Sequence, residues 1–234
     1  LQRAYDNIFH DVLLQNLPIV FCMDRAGVVG PDGPTHHGVY DISLLRSLPN
    51  LIITAPKDGD ELKNLIATGL KLEKKSMAIR YPKDTAYKYD ESIEAKILKI
   101  GTWETLHSGR KTAILATGSM VGIVNENYNE ITNQLGFKPE LINARFIKPM
   151  DFDLLDEIEK KFDLIITMEE GALNGGFGSG VLEYFSDNHF NTKIIRMGIP
   201  DKFIEHATRI ELLEELGLSS NGLIKIIKDS YKDE

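Results

Sequence analysis

The sequence predicts an α/β protein made of two doubly wound units, each a mostly parallel sheet flanked by helices. Short apolar runs of strand length alternate with segments of helical period, the pattern of a parallel sheet buried on both faces. The alternation breaks once, between Pro82 and Ser92, where charged and tyrosine residues replace any periodicity. A length of 234 residues accommodates two such units, and we place the boundary at residue 92.

Along the chain, Ala4, Ile8 and Val12 follow helical spacing from the outset and end near Asn16, before Pro18. A helix already in progress, with no initiator Met, leads us to expect that a longer protein continues upstream. Ile19 to Met23 reads as a buried strand and Asp24 to Gly38 as a glycine-rich loop. A short helix follows near Ile42 to Arg46, then a strand at Leu51 to Thr54. Asp58 to Glu73 reads as a helix capped by Asp58, and Met77 to Tyr81 as a third strand. The second unit should contain strands at Thr112–Ala116, Glu140–Ala144, Leu164–Met168 and Lys193–Met197. Its helices should lie at Ser119–Leu135, capped by Ser119, and at Asp151–Lys161, Ser179–Ser186, Ile210–Leu216 and Gly222–Tyr231.

A net charge of −8 argues against a nucleic-acid surface, which needs clustered Lys and Arg. Small molecules are the expected partners. Cys22 is the sole cysteine, so an internal disulfide or a cysteine metal cluster is impossible, and its apolar run makes it a core thiol. No apolar run approaches the ~18 residues of a membrane span, and no secretory signal opens the chain, so no membrane association and a cytoplasmic location are expected. The six histidines show no metal-ligand spacing.

The loop from Asp24 to Gly38 concentrates the chemistry. Gly27, Gly30, Gly33 and Gly38 let the backbone turn or approach a ligand, while Asp32, His36 and His37 offer hydrogen-bonding and proton-transfer groups. Ligands of doubly wound sheets bind beyond the carboxyl ends of the strands, where this loop should lie. Asp32-Gly33 also suits an ordinary turn.

The string Asp24-Arg25-Ala26-Gly27 through Asp32-Gly33-Pro34-Thr35-His36, preceded by Leu-Gln-Arg-Ala-Tyr-Asp and followed by Asp41-Ile42-Ser43, resembles the pyrimidine-binding domain of the 1-deoxy-D-xylulose-5-phosphate synthase family. The resemblance continues through Ala55-Pro56-Lys57-Asp58, Ile79-Arg80-Tyr81-Pro82 and Ala116-Thr117-Gly118-Ser119. It implies a transketolase-like fold. Residues 1–92 would be the remainder of the pyrimidine-binding domain, lacking its first strands, and residues 93–234 the C-terminal domain.

The resemblance further implies a thiamine-diphosphate- and Mg²⁺-dependent transferase that condenses pyruvate with D-glyceraldehyde 3-phosphate and releases CO₂. The product, 1-deoxy-D-xylulose 5-phosphate, would feed isoprenoid, thiamine and pyridoxal synthesis. By position in these motifs, Arg25 and Arg80 match residues holding the aldehyde's phosphate, a task suited to a planar guanidinium. Asp32 and His36 match residues lining the reaction site, with His36 the candidate for proton transfer, and Arg3 matches a residue beside the cofactor's pyrimidine. A bland reading stays open for two of them: Arg80 as the partner of a nearby acid, and Arg3 as a solvated charge on the first helical turn.

The Gly-Asp-Gly metal signature and the cofactor-activating glutamate of this family are absent from the sequence, so cofactor and metal are expected to be held mainly by an amino-terminal part beyond this chain. By itself the chain should be inactive. Glu169-Glu170-Gly171 and the glycines from Gly175 to Gly180 resemble the family's last domain, which implies a homodimer with the acids facing the subunit contact. Competing readings are a transketolase, the β component of a 2-oxo acid dehydrogenase, and a non-catalytic dimerisation or ligand-binding module.

Overall fold

The computed structural model describes residues 2–86 and 88–232. A turn at Gln2–Ala4 leads through α1 (Tyr5–Asn7) into a π-type stretch, Ile8–Leu13. Asn16 ends it with φ 54°, a left-handed conformation that asparagine tolerates better than most residues.

The first sheet contains β1 (Val20–Met23), β2 (Leu51–Thr54) and β3 (Ser76–Arg80), flanked by α2 (Asp41–Arg46) and α3 (Gly59–Gly69). Its order is β1-β3-β2-β7, all parallel except β7 (Phe146–Lys148), which returns from the second half of the chain to pair antiparallel with β2. Every residue of β2 and β3 is buried, which explains their unbroken apolar appearance. Asp58 caps α3 as expected, its carboxylate accepting the Glu61 N–H at 2.7 Å. Cys22 is a correction: β1 is an edge strand, and the thiol is exposed on it.

The second sheet runs β4-β6-β5-β8-β9. Its strands β5 (Thr112–Ala116), β6 (Glu140–Asn143), β8 (Leu164–Ala172) and β9 (Lys193–Ile199) are parallel, and β4 (Glu104–His107) adds an antiparallel edge. The expected helix at 119–135 is two, α4 (Ser119–Glu126) and α5 (Tyr128–Leu135), divided at Asn127, whose side-chain amide donates to the Ile123 carbonyl at 2.8 Å. Then come α6 (Phe152–Lys161), α7 (Phe177–Asp187), α8 (Arg209–Glu215) and α9 (Ser220–Ser230). Strand β8 continues past Met168 and carries Glu169 and Glu170 inside the sheet.

Alternate residues of β5 face opposite layers. Ala113 and Leu115 join a cluster with Ile53, Met77 and Ile79 of the first sheet together with Phe146 and Phe177. Ile114 and Ala116 pack with Met120, Ile166 and Leu223, and Val28 and Val39 of the glycine-rich loop enter the same cluster. The two units therefore share apolar cores, and the loop is moored by both. Among the described residues no helix is long and apolar enough to cross a membrane.

Candidate functional site at the carboxyl ends of β1 and β3

Met23 lies in register with Arg80, and two backbone hydrogen bonds of 3.0 Å continue the pairing, from Tyr81 N to Met23 O and from Ala26 N to Tyr81 O. The loop after β1 and the segment after β3 thus leave one end of the sheet together. Gly27 and Gly38 exchange backbone hydrogen bonds of 2.9 Å, closing residues 28–37 into a lobe that includes the 3₁₀ turn Gly30–Asp32. Gly27 has φ 80° and faces the Glu170 side chain so closely that a Cβ would overlap it, so glycine is required twice over.

At the surface of this lobe the structure brings together Arg25, Asp32, His36 and a residue the sequence reading did not single out, Lys83. The Lys83 ammonium lies 2.6 Å from the Asp32 carboxylate, both side chains partly exposed. The Asp32 carboxyl is held below the usual range, chiefly by the hydrogen bond from Lys83; burial opposes this, while the charges of Lys83, His36 and Arg25 add to it. Arg25 pairs with Asp24 and leaves its Nε buried without a partner. Its φ of 60° is uncommon for a residue with a side chain, the sort of local strain that collects at binding sites. His36 is exposed, its Nδ1 2.9 Å from Thr35 Oγ1.

Arg80 stands apart from this group. Its side chain is 3% exposed: Nε donates to Asp41 at 2.7 Å, and Nη2 to the carbonyls of Glu170 at 2.9 Å and Gly38 at 3.3 Å. The neighbouring charges of Asp41, Glu170 and Glu169 hold the guanidinium protonated even though burial opposes the charge. The expected convergence of two arginines on one anion is therefore not the arrangement seen; Arg80 is spent inside, and Lys83 stands beyond the strand end.

His37, the third polar side chain noted in the loop, is buried and accepts the Val29 N–H on Nδ1 at 3.0 Å. Its Nε2 then carries the proton and points to Glu205 O at 3.5 Å. Arg3 is exposed on the opening turn, and its neighbour Gln2 lines a pocket of about 140 Å³ shared with Asp24, Thr35, His37 and Asp41.

Two expectations for the second unit need correction. Ser119 does not cap α4; it donates to Glu170 at 2.7 Å and accepts from Arg209 at 3.1 Å. Neither acid of the Glu169-Glu170 pair faces outward, at 0% and 2% exposure. Glu169 accepts the N–H groups of Phe177 and Gly178 at the start of α7, each at 2.8 Å, and burial pushes its carboxyl up to about 7 against those bonds.

Sequence and fold comparisons agree with this architecture. Residues 1–88 match the transketolase pyrimidine binding domain and residues 101–223 the transketolase C-terminal domain. The 1-deoxy-D-xylulose-5-phosphate synthases of Aquifex aeolicus and Halalkalibacterium halodurans are 44% and 46% identical over 99% of the chain. The chain spans only 36% and 38% of those relatives' lengths. A split-gene transketolase described as an inactive β4 tetramer shares the fold with TM-score 0.83 at 23% identity, over 97% of this chain and 71% of that one. Transketolase from Campylobacter jejuni does so with TM-score 0.70 at 19% identity, over 97% of this chain and 34% of that one. With a transketolase C-terminal domain over more than half its length and the pyrimidine binding domain over most of the rest, the chain belongs to the transketolase family.

Proposed function

We propose that the chain supplies the acceptor side of a 1-deoxy-D-xylulose-5-phosphate synthase, which joins pyruvate to D-glyceraldehyde 3-phosphate with loss of CO₂. The observation that carries this reading is the exposed group of Arg25, Lys83, His36 and Asp32 at the carboxyl ends of parallel strands, in a chain over 40% identical to synthases of that name. In this reading Arg25 and Lys83 bind the aldehyde's phosphate, Asp32 orients Lys83, and His36 holds or moves a proton at the acceptor's oxygen. Arg80 acts from behind, since leaving its buried pair to meet a phosphate would strand Asp41 without a partner.

The chain's own residues do not fit the metal. Among the described residues no group of three or more His, Cys, Asp or Glu is placed to hold an ion. The 140 Å³ pocket beside Gln2 and Asp24 also falls below the roughly 300 Å³ at which small-molecule clefts begin. Thiamine diphosphate and Mg²⁺ are accordingly assigned mainly to an amino-terminal part like that of the relatives, with Arg3 beside the cofactor's ring. The edge strand β1, with its unpaired backbone groups and exposed Cys22, offers that part a place to add strands. Homodimerisation is carried over from the family resemblance.

The test combines the chain with the amino-terminal part of a relative, thiamine diphosphate and Mg²⁺. Pyruvate and D-glyceraldehyde 3-phosphate should be consumed together with release of CO₂ and appearance of a C5 phosphate, whereas the chain alone should show no turnover. Transfer from a ketose phosphate without CO₂ would instead make it a transketolase.

A further inference from the structure

We propose that Glu170, on the second sheet, is a positioning residue for the acceptor-binding loop, so that the second unit sets how Arg25 and Asp32 are aimed. The inference rests on the function proposed above and adds a residue that neither touches substrate nor lies in the same unit.

Glu170 is a buried carboxylate with both oxygens engaged. Oε1 accepts the Val28 N–H at 2.8 Å, from a residue 142 positions away in the chain. Oε2 accepts the Ser119 hydroxyl at 2.7 Å and Arg209 Nη2 at 2.5 Å. The backbone carbonyl of Glu170 accepts Arg80 Nη2. One residue thus joins the loop, the end of β3, α4 and α8.

The geometry specifies a single loop conformation. The Glu170 side chain packs against Gly27 where any Cβ would overlap it, and Gly27 accordingly takes φ 80°. Turning the Gly27–Val28 peptide away would leave both a buried N–H and a buried carboxylate oxygen without their partner, an arrangement proteins avoid. Val29, the next residue, is held by His37, which in turn points to Glu205 of the second unit. Two successive N–H groups of the loop are therefore latched, one directly by the second unit and one through a buried imidazole. Arg25 lies three residues before Val28 and Asp32 three residues after Val29, both on the exposed side. Holding a binding group within a fraction of an ångström of its working position depends on such support from behind.

The decisive variant is Glu170→Gln in the complete enzyme, because a carboxamide has one acceptor oxygen and cannot serve both Val28 and the Arg209–Ser119 pair. Its kcat/KM for D-glyceraldehyde 3-phosphate should fall by about 10-fold or more, mainly through KM. The KM for pyruvate should change by less than about threefold, and turnover with unphosphorylated glyceraldehyde should fall much less than with the phosphorylated aldehyde, since it uses His36 of the lobe but not the phosphate-binding side chains. If the Gln variant does not fold, Glu170→Asp is read in the same assay; it keeps the charge opposite Arg209 but is one methylene too short to reach Val28.

A purely structural role would lower the active fraction for both aldehydes alike, and that result overturns the inference. Arg25→Ala separates the two levels of the argument. If it too leaves the preference for the phosphorylated aldehyde unchanged, the functional reading falls. If it abolishes that preference while the Glu170 variants do not, only the positioning role falls.

Discussion

Arg25 and Arg80 leave neighbouring strand ends and were expected to do the same work, yet they live in opposite dielectric surroundings. Arg25 is 42% exposed, held in a left-handed conformation, with part of its guanidinium unpartnered. Arg80 is desolvated and bound to Asp41 and two carbonyls. A desolvated cation with its donors engaged organises the protein; a half-exposed one can exchange water for a ligand. The contrast shows why identical side chains, one on the last residue of a strand and the other two residues beyond the end of its neighbour, can divide into support and binding.

Removing each side chain in turn separates support from binding. Arg80→Ala should destabilise the chain by about 3–5 kcal/mol, because Asp41 is left as an unpaired buried charge. Denaturant unfolding measures this, and Asp41→Ala added to Arg80→Ala should recover much of the loss. A variant as stable as the parent would show Arg80 to be a surface group after all.

Glu169, buried close enough to feel the charge of Arg80, extends the contrast to acids. Its carboxyl is pushed from an ordinary 4.5 up to about 7, so between those values the folded chain binds a proton that the unfolded chain has released. Stability should therefore fall by roughly 3 kcal/mol as pH rises from 4.5 to 7 and level off above. In Glu169→Gln this component should vanish, so that the difference in melting temperature between parent and variant shrinks or reverses as pH rises. A constant difference across that range would count against burial as the controlling effect.

The smallest expected energetic effects belong to the exposed cations. Arg25→Ala and Lys83→Ala should each raise the KM for the phosphorylated acceptor about tenfold, roughly 1.4 kcal/mol, with kcat nearly unchanged. Thermal unfolding should hardly move, since side chains this exposed contribute little to folding. A marked fall in melting temperature in either variant would blur the division between support and binding.

Much of the architecture was legible because it is local. Strands β2 and β5 fall on the expected residues, Asp58 caps its helix, and Gly27, Gly30 and Gly33 of the 24–38 loop adopt the positive φ their chemistry permits. The short strands β4 and β7 went unread, since β4 mixes polar and apolar residues at a partly exposed edge and β7 has three residues, and both acquire strand geometry from a partner. Lys83 was hidden in a stretch without pattern, although one signal existed. A strand buried on both faces has no exposed side for Arg80, so the first cation able to reach solvent is the one beyond Pro82.

The amino-acid sequence alone determined the alternation of elements, the turn geometry and the acceptor loop, because backbone preference and apolar period act over a few residues. Long-range packing set which charges are buried, put Cys22 on an edge strand and brought Glu170 to the loop. Those outcomes depend on desolvation and on partners as many as 142 positions away, which no local pattern records.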